Sequence, residues 1–152
     1  MAVYDPTKSY PAAPHGGTFN ANPVTMAAGL AAMHLLTPAA YGKLDDLGAK
    51  LRASLDDCFA RARVPGRVAG MGSLFRLHPM DRELIDYRSA RPTPEESERL
   101  HGIVRRLMEH GVLVSMTGVG CLSMPMSDAE LDGLIETFAT VLDTVGGRRG
   151  AG

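Results

Sequence analysis

Residues 15–23 read His-Gly-Gly-Thr-Phe-Asn-Ala-Asn-Pro. Two glycines leave backbone amides uncovered, a threonine adds a hydroxyl, and two asparagines add short polar side chains. Asn22 suits a helix N-cap and Pro23 the first helical position. Amides and a hydroxyl gathered at the start of a helix are the parts from which a seat for an anion is made, because short donors can close on it without steric cover. The plainer reading of the same residues is a tight turn that feeds the helix, with Thr18 and Asn20 bonding backbone.

No other group of residues makes so definite a chemical offer. His15, His34, His78, His101 and His110 are scattered, with no HxxxH on a helix and no paired cysteine, so no metal site is expected. Thr117-Gly118-Val119-Gly120 lacks the third glycine and following helix of a dinucleotide fingerprint and reads as a turn. The 15–23 loop lacks the Gly-Lys-Ser/Thr of a nucleotide triphosphate loop, and no serine stands in a GxSxG frame. Glu95 and Glu96 are accounted for by helix capping. Asp45, Asp46, Asp56 and Asp57 fit a solvated helix face. Met71, Met80, Met108, Met116, Met124 and Met126 suit core and interface filling. Arg76, on an expected strand, could face a carboxylate; a solvent-facing or paired arginine is the commoner role there.

The elements that must hold the loop are mostly helical. From Pro23 to about Leu36, Met26, Leu30 and Met33 recur on one stripe beside alanines and Gly29, which predicts close packing against another element. Thr37-Pro38 starts a second helix, with Leu44, Leu47, Leu51, Leu55, Phe59 and Ala62 on its apolar side, ending before Val64-Pro65-Gly66. Ser73 to His78 alternates like a strand, and residues 79–92 read as a loop. Thr93-Pro94-Glu95-Glu96 is a capping box for a helix carrying Leu100, Ile103, Val104 and Leu107 inward and closing at His110-Gly111. Residues 112–116 and 121–124 read as two further strands. Ser127-Asp128-Ala129-Glu130 is a second capping box, and Leu131, Leu134, Ile135, Phe138, Val141, Leu142 and Val145 line the last helix. The glycine- and arginine-rich end, 147–152, reads as a disordered tail. These elements predict an α+β fold with a small antiparallel three-stranded sheet and flanking helices.

With 16 basic and 17 acidic residues the chain has no cationic surplus for nucleic acid or an anionic membrane. Its 152 residues, 45% hydrophobic and 22% charged, suit one domain with a core. Cys58 and Cys121 lie in no paired spacing, which fits core or near-core thiols in a reducing compartment. No run has the length of a membrane span, so a cytoplasmic protein is expected. Residues 1–22, rich in proline and without periodicity, are unusual as a domain start and admit a segment cut from something larger.

The stretch HGGTFNANPVTMAAGLAAMHLLTP resembles the Gly-Thr-Phe/Leu-x-x-Asn-Pro segment of class III aminotransferases, which are pyridoxal-phosphate enzymes of the aspartate-aminotransferase fold type. The likeness is greatest to the glutamate-1-semialdehyde 2,1-aminomutase branch and its β-amino-acid aminotransferase relatives. GRVAGMGSLFRLH and HGVLVSMTGVGCLSMPMSDAELDGLIETF resemble that branch's C-terminal domain in order and spacing, so the likeness extends over residues 1–146.

The resemblance implies a role for the loop. Thr18 would give its hydroxyl, and Gly17 with Thr18 their amides, to the cofactor phosphate held by a neighbouring subunit. It implies that 1–36 is a remnant of the large cofactor-binding domain and that 37–146 is the C-terminal domain. It also implies an amino-acid or amine substrate and a homodimer or a missing N-terminal large domain. The family's Schiff-base lysine lies upstream of this loop. Lys8, the only lysine before it, sits in an unpatterned proline-rich segment, so no catalytic residue is expected in this chain. Two other readings stay open: one subunit of a split enzyme, and a non-catalytic α+β domain that binds a ligand or partner.

Overall fold

The computed structural model describes Thr7 and residues 17–146; the expectations for Lys8, His15, Gly16 and the tail 147–152 lie outside the described residues. The elements run α1 (Pro23–Leu35), α2 (Pro38–Ala62), β1 (Arg67–Ala69), β2 (Leu74–His78), α3 (Pro94–Glu109), β3 (Val119–Cys121) and α4 (Asp128–Gly146). The chain divides into two compact units, residues 1–37 and residues 38–152.

In the first unit α1 begins where the cap-and-proline signal places it. Its stripe behaves otherwise than its periodicity predicts. No residue of α1 is buried, and Met26, Leu30 and Met33 are each more than 60% exposed. The pattern reports which side chains could be covered together; it does not supply the cover.

The second unit is an α+β layer. The strands form one antiparallel sheet in the order β1-β2-β3, with Val68 opposite Leu77 and Phe75 opposite Gly120. Phe75 and Leu77 point from the central strand into a core completed by Leu51, Leu55 and Phe59 of α2, Ile103, Val104 and Leu107 of α3, and Leu131, Phe138, Val141 and Leu142 of α4. The Phe59 and Phe138 rings meet edge to face with centroids 5.2 Å apart. The predicted apolar sides of these three helices are thus the sides that are buried. Gly48 sits within α2 despite its helical penalty because a Cβ there would overlap the Gly72 carbonyl oxygen. Lys50 ties α2 to Asp128 (2.8 Å) and Asp132 (3.4 Å) of α4.

The sheet has three strands, but two of them differ from the expected ones. Residues 112–116 do not form a strand. Gly111, at φ 81°, and Val112 close α3 in a Schellman cap, with the Val112 N–H donating to the Leu107 carbonyl (2.9 Å) and Gly111 N–H to that of Met108 (3.0 Å). A turn then follows at once, Gly118 N–H donating to Ser115 O (2.8 Å). The third strand falls on 119–121, across the expected turn, because the residue opposite Phe75 must have no side chain: a Cβ on Gly120 would lie inside the Phe75 ring. β1 lies in a glycine-interrupted stretch with no strand signal. It is an edge strand held from outside by Asp56, whose carboxylate accepts the Val68 N–H at 2.7 Å. Asp56 is therefore more than a solvated charge.

Of the cysteines, Cys58 is buried and Cys121 is exposed, the latter because it pairs with Leu74 on the outer face of the sheet. Among the methionines Met80 is buried, Met124 and Met126 pack against the core, and Met71, Met108 and Met116 are exposed. The 79–92 loop is cross-braced by Arg82. Its guanidinium grips Glu96 (2.6 and 3.1 Å) and donates to the carbonyls of Ser89 (2.8 Å) and Arg91 (2.7 Å). The Thr93–Glu96 capping box forms as predicted. At α4 the Glu130 carboxylate accepts from the Ser127 N–H (2.8 Å) and hydroxyl, so the serine donates there.

Candidate functional site

The Gly-Thr-Phe-Asn segment is a turn. The Asn20 N–H donates to the Gly17 carbonyl at 3.1 Å, which leaves Thr18 and Phe19 as its two central residues. A second turn overlaps it, Asn22 N–H donating to the Phe19 carbonyl at 3.1 Å, with Ala21 in the left-handed region at φ 58°. An alanine there carries a steric penalty that glycine would avoid. A Cβ on Gly17 would sit 2.9 Å from the Asn20 side-chain oxygen, so the Asn20 side chain would have to shift to admit it.

The start of α1 is already satisfied. The Asn22 side chain accepts from the N–H groups of Val24 (3.0 Å) and Thr25 (3.3 Å), Met26 N–H bonds the Asn22 carbonyl (2.9 Å), and Pro23 has no N–H. The helix end therefore has no spare amide, and any anion in this unit has to be met by the turn itself. The turn has the donors. The amides of Thr18 and Phe19 and the Thr18 hydroxyl bond no described residue, and Gly17 to Ala21 are all exposed. No aspartate or glutamate occurs between Asp5 and Asp45, so residues 17–37 carry no carboxylate to oppose a negative guest. Two amides, one hydroxyl and no acid form a donor set that fits a phosphate dianion.

In the second unit the shifted proton affinities follow from structural pairing. Arg82 holds the Glu96 carboxyl low, Lys50 that of Asp128, and the Ser127 hydroxyl that of Glu130. His78 is the exception. It is buried at the end of β2, and its proton affinity is lowered first by burial and then by the charges of Arg76 and Arg67. Arg76 is exposed on the central strand and makes no hydrogen bond or ion pair with any described residue. Among the described residues no three His, Cys, Asp or Glu side chains gather as a metal site needs, and no single helix is long and apolar enough to cross a membrane. Sequence reasoning found the turn and Arg76. It missed Asp56 and Arg82, whose partners lie 7 to 14 residues away along the chain where no short motif registers them.

An α+β unit with a three-stranded antiparallel sheet and flanking helices is the fold class that the motifs anticipate. The chain belongs to the class III aminotransferase family, whose pattern matches residues 1–142. It is 36% identical over 144 residues to the β-phenylalanine transaminase of Variovorax paradoxus, covering 93% of this chain and 32% of that protein. It is 40% identical over 103 residues to the glutamate-1-semialdehyde 2,1-aminomutase of Anaeromyxobacter sp. (strain K), covering 66% of this chain and 24% of that protein. Among solved structures, an omega-transaminase from Sphaerobacter thermophilus matches with a TM-score of 0.80 and 46% identity over 93% of this chain and 32% of its own. A transaminase with PLP bound matches with a TM-score of 0.74 and 35% identity over 97% of this chain and 33% of its own. The chain thus spans about a third or less of the length of these relatives.

Proposed function

We propose that this chain is the C-terminal part of a pyridoxal-phosphate-dependent aminotransferase or aminomutase, and that its Gly17–Thr18 turn holds the phosphate of a cofactor bound by a neighbouring subunit. The observation that carries the reading is the turn: three donors on Thr18 and Phe19 that bond no described residue, with no acid among residues 17–37, in a class III family chain. When bound, the cofactor supplies the aldehyde and electron-withdrawing ring through which an amino group moves between carbon skeletons. This chain's part is to bind and orient. The Thr18 hydroxyl and amide, with the Phe19 amide, meet the dianion; Gly17 keeps the turn free of side chain; Asn22 and Pro23 stiffen it against α1. Residues 1–36 then belong to the large cofactor-binding domain and 37–146 to the C-terminal domain. The lysine that binds the cofactor lies in the preceding portion, so the isolated chain turns over no amino donor.

The exposure of Met26, Leu30 and Met33 favours a chain completed by more protein, either the preceding portion of one polypeptide or a separate subunit of a split enzyme. The aminotransferase reading draws on the Variovorax and Sphaerobacter relatives, the aminomutase reading on the Anaeromyxobacter one.

The test is a graft. This chain replaces the C-terminal third of the Variovorax transaminase, and cofactor retention and amino transfer are measured with and without Thr18→Ala. The expected result is a graft that transfers amino groups, and a T18A form that holds cofactor about tenfold more weakly, the loss of one charge-assisted hydrogen bond. A folded graft whose T18A form retains cofactor equally well overturns the assignment of Thr18. A folded graft that binds no cofactor overturns the whole reading.

A further inference from the structure

The segment after α3 keeps the burial of a strand without the pairing of one. Val112 packs against the core, Leu113 is 84% exposed and Val114 is buried. The turn that follows is that of a three-residue hairpin. The Gly118 N–H donates to the Ser115 carbonyl (2.8 Å), the Ser115 N–H donates to the Val119 carbonyl (3.0 Å), and Gly118 is left-handed at φ 78°. The Ser115 hydroxyl secures it by accepting the Val119 N–H at 3.0 Å. Beyond this turn the two arms are unpaired: the N–H and carbonyl of Leu113 bond no described residue. On the other arm, the bonds from Leu77 N–H to Gly118 O and from Leu122 N–H to Ser73 O (both 2.9 Å) set the β2–β3 ladder on alternate residues. The N–H and carbonyl of Cys121 therefore point away from β2, and they too bond no described residue. Continued from Ser115 opposite Val119, the hairpin register sets Val114 opposite Gly120 and Leu113 opposite Cys121. Burial agrees at each position: Val114 is buried and Gly120 lies against the Phe75 ring, while Leu113 and Cys121 are both exposed. Antiparallel alternation makes Leu113 and Cys121 the next bonded pair after Ser115 and Val119. A cavity of about 80 Å³ opens here, lined by Leu113 and Cys121 together with Phe75, Leu122, Leu131 and Leu134.

We propose that residues 112–114 are a strap that closes on β3 as a fourth strand and shuts this cavity. Closing joins the Leu113 N–H to the Cys121 carbonyl and the Cys121 N–H to the Leu113 carbonyl, so each of these backbone groups gains a partner within the chain. It also covers the free edge of β3. The strap is fixed at both ends, at Val112 by its N–H bond to the Leu107 carbonyl (2.9 Å) and at Ser115 by the turn. Closure is then a change of backbone dihedrals between two fixed points and needs no movement of α3 or α4. With the strap open, the cavity admits a small apolar group to Phe75 and Leu131. With it closed, the Leu113 side chain lies beside Cys121 and Leu74 on the outer face and entry is barred. The device belongs to the second unit alone and does not rest on the cofactor reading.

The test is amide hydrogen exchange on the 152-residue chain, read residue by residue without cofactor or graft. The Leu113 and Cys121 amides are expected to exchange at least about fivefold more slowly than free amides, the worth of one net hydrogen bond. They are expected to do so by the same factor, since one closing event covers both. The amides of Met116 and Thr117, which bond no described residue and stay in the turn throughout, serve as the unprotected reference. Leu113→Pro removes one donor of the pair. It is expected to bring Cys121 close to the reference rate while the Ser115 amide, held by the turn, keeps its protection. Free exchange at both amides overturns the proposal. Protection of Cys121 alone overturns it in favour of another segment lying along β3. Cys121 protection that is unchanged in L113P overturns it as well. Should L113P fail to fold, the comparison of the two protection factors in the unaltered chain decides.

Discussion

Residues 17–37 and residues 38–146 handle apolar side chains differently. In α2, α3 and α4 the periodic side chains close on one another and on Phe75 and Leu77, and the core they make excludes water from Phe59, Leu51 and Ile103 almost completely. In α1, alanine-rich and without a clear polar face, Met26, Leu30 and Met33 stay exposed. The difference shows again at the helix starts. Thr93 and Glu96 cap α3 reciprocally, and Glu95 and Glu96 complement its positive end. α1 has an asparagine cap, a proline and no acid. One region has a buried core of its own; the other is locally well formed with its apolar stripe exposed.

The sharpest way to break this comparison is a matched pair of truncations. Phe59→Ala removes a fully buried ring from the core between α2 and α4 and is expected to lower stability by about 3–5 kcal/mol, read as a shift in the urea midpoint. Leu30→Ser, on α1, is expected to change the same midpoint by no more than about 0.5 kcal/mol. A Leu30→Ser loss comparable to that of Phe59→Ala would mean that α1 is held by this chain's own core, and the contrast would be gone.

Cap removal gives a smaller separation. Thr93→Ala breaks the box that starts α3 and is expected to cost about 1 kcal/mol of global stability. Asn22→Ala removes the acceptor for the Val24 and Thr25 amides and is expected to fray α1 by a similar local amount without moving the global midpoint. Hydrogen exchange at Val24–Met26 against urea unfolding of the whole chain separates the two.

The pH response sharpens the same division, because its source is in the second unit. The folded-state pKa of His78 lies below the ordinary 6.5, with burial and then Arg76 and Arg67 as causes. Between the two values the unfolded chain binds more protons than the folded one, so this histidine's contribution makes stability rise with pH up to about 6.5 and fall as the solution is acidified below it. Urea midpoints measured from pH 7 downward are expected to fall less steeply in His78→Gln. An identical slope in the variant would mean that other groups account for the acid sensitivity.

How much of this was legible follows from the range of each interaction. The helices were read well because their signal is local: Leu44 to Phe59 and Leu131 to Leu142 repeat within a turn of each other, and Thr93-Pro94-Glu95-Glu96 is a complete start signal. The sheet's class was legible, but two of its strands were not. Three-residue strands carry almost no period, and the position of β3 is decided by Phe75, 45 residues away from Gly120, which no pattern around Gly120 encodes. Val112 to Met116 looked like a strand because its apolar residues alternate, while the Val112 N–H was already committed to the end of α3. The turn at Gly17 was legible as a turn with donors. That Asn22 would take up every amide at the head of α1, leaving Thr18 and Phe19 as the donors, is a matter of geometry rather than residue type.

The smallest expected effect bears most directly on the turn. Ala21 holds φ 58° between Asn20 and the cap, a conformation that costs an L side chain about 1–2 kcal/mol relative to the right-handed region. Ala21→Gly removes that penalty but gives the unfolded chain extra freedom amounting to about 0.4–1 kcal/mol. The net local gain is therefore expected to be under about 1 kcal/mol, seen as slightly greater hydrogen-exchange protection at the start of α1. Its value lies in what accompanies it. If Ala21 keeps the Thr18 and Phe19 amides in one arrangement, the more permissive glycine loosens that arrangement, and the graft carrying A21G holds cofactor less well even though α1 is no less stable. If retention is unchanged, the left-handed alanine serves only to turn the chain into its cap, and the donor geometry rests on the Gly17–Asn20 hydrogen bond alone.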